Sequence, residues 1–186
     1  DGAPIAWEGV RPSVMIERAG VHVGLIGVTT AATLGTTIAA NVDDLRVAPL
    51  AASIEAEARA LRARGAQVVV VAAHAGGECR AFDDPSDLAS CQGDSEIFHV
   101  ARALPEGLVN VIVAGHTHKA IAHEVHGIAI IESHALGRAF GRVDLTVDRG
   151  NVVETRIHPP QDPVSYTQLT LPTIHSVSIS LAPITL

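Results

Sequence analysis

Apolar positions in this chain fall into two periods that alternate along it. Val14 to Ile16 and Val21 to Val28 are short apolar runs separated by Glu17-Arg18-Ala19-Gly20, the pattern of a hairpin leading into a core strand. From Pro49 to Arg64 the period becomes helical: Leu50, Ile54, Ala58 and Leu61 share one face, while Glu55, Glu57, Arg59 and Arg62 occupy the others. Proline suits the first turn of such a helix, and Gly65 suits the left-handed position beyond its end. The unbroken run Val68 to Ala73 predicts a strand buried on both faces and ending at His74. The same order then repeats. Asp94 stands where it can cap a helix presenting Ile97, Val100, Ala101 and Leu104, with Pro105 ending it; Val109 to Ala114, broken only by Asn110, is the next core strand. Residues 31–48 are small and aperiodic, a connection.

Beyond Lys119 the texture becomes antiparallel. Ala120 to Val125 and Ile128 to Glu132 flank His126-Gly127, and Phe140 to Val147 and Asn151 to His158 flank Asp148-Arg149-Gly150. The pattern predicts an α/β fold whose mixed sheet has parallel strands followed by an antiparallel meander. Right-handed crossovers bring the carboxyl ends of the parallel strands to one rim, which places His74 near Gly115-His116-Thr117-His118. Open α/β sheets hold their ligands at that rim.

With 186 residues, 47% of them apolar, the chain can bury one sizeable core. A net charge of −7 with no basic run argues against nucleic acid as a partner, and the apolar runs are too short to insert in a bilayer. Gly24 to Thr30 is glycine-bearing but lacks the residues of a phosphate loop. Cys79 and Cys91 lie in one polar stretch and read either as a disulfide or as two free thiols; their spacing is not that of a zinc pair. Glu78, Asp83 and Asp84 in that stretch read as a solvated excursion rather than an acid and base pair. The chain divides into residues 1–162 and a tail, 163–186, that contains no Asp, Glu, Lys or Arg. Ser165 to Val177 in that tail resembles translated sequencing-adapter DNA, so the tail reads as non-native and no function is assigned to it.

A strand ending in His74, a strand ending in Gly115-His116-Thr117-His118, and Gly137 to Leu145 downstream together resemble the calcineurin-like metallophosphoesterases, and among them the bacterial 5′-nucleotidase branch. The resemblance runs from about Ser13 to Val147. It implies a partial four-layer αββα sandwich of which this chain supplies mainly one sheet and two or three helices. It implies that His74 and His116 ligate one metal and His118 another, in a site for two divalent ions (Zn, Mn, Fe or Ni) that hydrolyses a small phosphoester or nucleotide. His134, after the strand at 128, could approach the substrate. The remaining histidines, His22, His99, His123, His126 and His158, read as structural.

The departures from that pattern are specific. Enzymes of this kind also carry Asp-x-His, Gly-Asp-x-x-Asp and Gly-Asn-His motifs, and residues 1–186 contain none of them. The sequence therefore reads as the C-terminal half of a catalytic domain, inactive alone, from a periplasmic or secreted parent. A sheet face intended for the other half would be left exposed and favour association. Two other readings remain open: a non-catalytic metal-binding or interaction domain, and a zinc hydrolase using His74, His116 and His118 with an open fourth position.

Overall fold

The computed structural model describes residues 4–163 and the backbone of 177–179. Its centre is the apolar run at 68, which forms β3 (Val68–His74). Alternate residues of this strand point to opposite faces, and both faces are covered: Val69 and Val71 face one hydrophobic cluster, Val68 and Val70 the other. That double burial is why the sequence here shows no polar alternation.

Around it stand β1 (Ser13–Arg18), β2 (Val21–Thr29), β4 (Val111–Val113), β5 (Ala120–Val125) and β6 (Ile128–Ser133), in the order β1-β2-β3-β4-β6-β5. The pairs β2–β3, β3–β4 and β4–β6 are parallel; β1 and β5 close the edges as antiparallel hairpin partners. The connection at 31–48 contains α1 (Ala32–Thr36) and one 3-10 turn, Ala39–Asn41, neither of which has a buried residue, so no apolar period marked them.

The helix α2 (Leu50–Ala63) buries the predicted face, Leu50, Ile54, Ala58 and Leu61. Pro49 is its N-cap rather than its first turn, and Gly65 has φ +96° beyond its end. Arg62 fastens the exit of this helix: its guanidinium donates to the carbonyls of Ala66, Gln67, Gly107 and Leu108 and to Asn110 Oδ1. The helix α3 (Glu96–Ala103) starts one residue later than expected, with Ser95 and not Asp94 at the N-cap; the Ser95 hydroxyl donates to the Gln92 carbonyl instead of capping the helix.

The meander separates from the main sheet. The strands β7 (Phe140–Asp148) and β8 (Asn151–Gln161) pair with each other, and β9 (Val177–Ile179) pairs with β7, making a second sheet. Val143, Leu145 and Ile157 pack across the face that carries Val68, Val70, Val111 and Ile131. Two sheets thus face each other, with helices behind one, where the sequence pointed mainly to one sheet. Exposed apolar side chains gather on β1 and the segment before it: Val14, Ile16, Ile5, Val10 and Trp7, the last 59% exposed. Of the uncharged tail, only Pro163 and β9 lie within the described residues.

Candidate functional site

The parallel register carries the two histidine-bearing segments to one rim. Val70 to Ala72 pair with Val111 to Val113, so the chain leaves β3 at His74 and β4 before Gly115 at neighbouring points. Past the strand ends the loops stay tied: the Gly115 N–H donates to the Ala75 carbonyl and the Thr30 N–H to the His74 carbonyl. The result is a direct meeting of imidazoles. His116 Nδ1 stands 3.1 Å from His74 Nε2, with ring centroids 4.8 Å apart and planes at 70°.

His116 reaches this position on a backbone with φ +80°; His118 and His134 also lie in the left-handed region, at +59° and +58°. A side chain with a Cβ pays of order 1–3 kcal/mol for such a conformation. The pKa of His74 is lowered, first by burial and then by the nearby His116 and His118. The shift favours the neutral ring, the form with a lone pair to offer.

Two imidazole nitrogens bound at about 2.0–2.1 Å to one tetrahedral zinc stand about 3.3 Å apart, close to the 3.1 Å observed. His74 and His116 fit a shared ion. His118 is exposed and does not join them, and among the described residues no carboxylate does either. Among the described residues the pair His74 and His116 stands without a carboxylate beside it.

Beside His116 lies a cleft of about 360 Å³. His116, Thr117 and Lys119 line one side, Gly76 to Glu78 another, and Gln92 and Asp94 to Glu96 at the head of α3 a third. Glu78 sits 3.7 Å from both Lys119 and Arg80. Asp83 and Asp84 do not line the cleft, and Asp84 is spent on Ser86. His134 does not line it either: its side chain is exposed and its backbone N–H donates to the Lys119 carbonyl.

Cys79 and Cys91 are joined as a disulfide, one of the two readings the sequence left open, closing the loop that forms one wall of the cleft. Two features of the site were not read from the sequence. The first is His123, 0% exposed, which lies against this bridge with its Nε2 unpartnered. Those three residues are the only cluster of three ligand-type side chains among the described residues, but both sulfurs are already bonded to each other. The second feature is Glu132, a carboxylate only 2% exposed, wedged between the two histidine loops. A glutamate at the end of an apolar strand reads as the place where burial stops, and nothing short of the packing reveals otherwise.

No protein-family profile matches the chain. Among curated proteins it is 28% identical over 138 residues to the endonuclease YhcR of Bacillus subtilis, covering 73% of this chain and 10% of that protein. It is 26% identical over 167 residues to the cell wall protein Lmo0130 of Listeria monocytogenes, covering 89% of this chain and 21% of that protein. The chain therefore spans a small part of the relatives it matches. Among solved structures, a 5′-nucleotidase-type protein from Staphylococcus aureus superposes with a TM-score of 0.62 at 22% identity, over 84% of this chain and 31% of the other. The calcineurin-like phosphoesterase YfkN of Bacillus subtilis gives 0.61 at 19% identity, over 83% and 52%. The NAD nucleotidase of Haemophilus influenzae gives 0.59 at 15% identity, over 98% and 36%. The chain has the mixed α/β fold found in the calcineurin-like phosphoesterases and 5′-nucleotidases.

Proposed function

We propose that this chain contributes one side of the active site of a metal-dependent phosphoesterase that acts on a small phosphoester of the nucleotide class. The observation that carries the reading is the 3.1 Å approach of His116 Nδ1 to His74 Nε2 at the rim of the parallel strands. The fold shared with nucleotidases and phosphoesterases supports it.

In this reading His74 and His116 would hold one divalent ion through their ring nitrogens. When bound, such an ion would supply Lewis acidity toward a phosphoryl oxygen. The protein's own contribution is placement. Partial desolvation and the neighbouring imidazoles lower the His74 pKa, the ties between the two loops fix the ring pair, and the cleft beside His116 receives the organic part of the ester, with Lys119 at its edge. The motifs that would bring a bridging carboxylate do not occur in residues 1–186, so in this reading hydrolysis needs residues this chain does not supply. The disulfide and the match to a cell wall protein support an extracellular setting; among the described residues no helix is long and apolar enough to cross a membrane. His118 does not group with His74 and His116 closely enough to share one ion, which speaks against a three-histidine zinc site.

The test has two arms. Titration of the purified chain with Co²⁺ should show one site, with its visible absorption lost in His74→Ala and in His116→Ala but retained in His118→Ala. A chain that takes up no cobalt, or variants that bind it unchanged, would overturn the reading. Long-read sequencing of the gene should find Asp-x-His, Gly-Asp-x-x-Asp and Gly-Asn-His in the same reading frame; a gene without them removes the two-ion mechanism.

A further inference from the structure

Glu132 lies on β6, yet its carboxylate touches both histidine-bearing loops. The Gly77 N–H, three residues after His74, donates to Oε2 at 3.2 Å. Thr117, between His116 and His118, brings its Oγ1 to 2.7 Å from Oε1 and to 2.8 Å from the Gly77 carbonyl. These contacts close a ring: one carboxyl, one hydroxyl and the backbone N–H and C=O of one glycine, joining β6 to the loop after β3 and the loop after β4.

The glycines belong to this arrangement. A Cβ on Gly76 would overlap Glu132 Oε2 and the Gly115 carbonyl, so only glycine lets the first loop pass over the carboxylate. A Cβ on Gly77 would press on Ser95 at the head of α3. Burying a carboxyl costs free energy that a packed apolar residue would not, and each hydrogen bond it makes returns only a part. A glutamate that stability alone does not favour, in a cradle cut to its shape, holds something in place.

We infer that Glu132 is the positioning residue of the histidine pair, locking the turn after His74 to the turn carrying His116 so that the two imidazoles converge. It touches neither substrate nor ion. What matters is the reach of the side chain and two hydrogen-bonding oxygens, not its charge: glutamine keeps the reach, and its amide can accept from Gly77 and donate to Thr117. Aspartate keeps the charge but is one methylene too short. The inference deepens the reading of His74 and His116 as a cation-binding pair, and its first readout is independent of that reading.

The experiment compares wild type, Glu132→Gln, Glu132→Asp and Arg62→Ala. The last loosens the fold at the end of α2, away from the site. The first readout is the metal-free nuclear Overhauser contact between the rings of His74 and His116, whose centroids are 4.8 Å apart. It should survive in Glu132→Gln and in Arg62→Ala and vanish in Glu132→Asp. The second is Co²⁺ affinity, which should fall about 10- to 100-fold in Glu132→Asp, the usual effect of losing an outer tie to metal ligands, and stay near wild type in Glu132→Gln. A ring contact that persists in Glu132→Asp, or is lost in Glu132→Gln or equally in Arg62→Ala, would overturn the inference. A wild type that shows the ring contact yet binds no cobalt would instead remove the metal reading and leave the positioning role standing.

Discussion

The positive φ of His116 gives a prediction in which the smaller residue wins. His116→Ala and His116→Gly both delete the imidazole and its 3.1 Å contact with His74, so their difference isolates the backbone. At φ +80° an alanine carries the left-handed penalty of roughly 1–2 kcal/mol for a residue with a Cβ. Glycine escapes that penalty but gives back about 0.4–1 kcal/mol through its freer unfolded chain. The net is roughly 1 kcal/mol in favour of His116→Gly. For a domain of this size, that is a melting-temperature difference of about 2–4 °C. Urea and thermal melts of the two variants measure it. The control is the same pair of substitutions at His74, which lies in β3; there the order reverses, with glycine roughly 0.5–1 kcal/mol below alanine. If His116→Gly is no more stable than His116→Ala, the left-handed backbone is not a cost, and the argument that strain is held at this rim fails.

The stability of the wild type relative to Glu132→Gln should depend on pH. Burial is the largest cause raising Glu132 above its ordinary 4.5, with hydrogen bonds from Thr117, Gly77 and Lys119 pulling it back. The folded protein therefore keeps a proton that the unfolded chain has released, and wild type loses ground to Glu132→Gln as pH rises from about 4.5 through the folded value; a flat or rising difference in urea midpoints refutes this. The hairpin turns offer a second test. Ala19-Gly20 and Arg149-Gly150 each place both residues at positive φ, the two-residue turn that favours Asn-Gly. Ala19→Asn and Arg149→Asn should each stabilise by roughly 0.5–1 kcal/mol in thermal melts and add when combined, because the turns lie on different sheets.

What the sequence made legible follows from which physical signals are one-dimensional. Val68 to Ala73 announced a doubly buried strand because both faces needed apolar residues, and Leu50, Ile54, Ala58 and Leu61 announced a helix because one face did. The meeting of His74 with His116 could be anticipated because parallel crossovers bring strand ends together. The packing of β7 and β8 across the main sheet could not, since alternation shows that a strand has a buried face and not what buries it. Glu132 and His123 were hidden for a related reason. A polar residue inside a strand reads as facing solvent, and only the packing shows that both are buried. The cap of α3 moved from Asp94 to Ser95 because neighbouring polar residues offer several starts and the tertiary fit chooses one.

The sheet order has a consequence for how the rim is built. The strand that bears Glu132 does not follow β4 directly: β5 lies between them in the chain, and β6 sits beside β4 through three residue pairs, Val111 with Ala129, Ile112 with Ile130 and Val113 with Ile131. The anchor shared by the two histidine loops therefore comes from a strand later in the chain than either loop. A chain cut before Ile128 would carry both histidines without the carboxylate that ties them together.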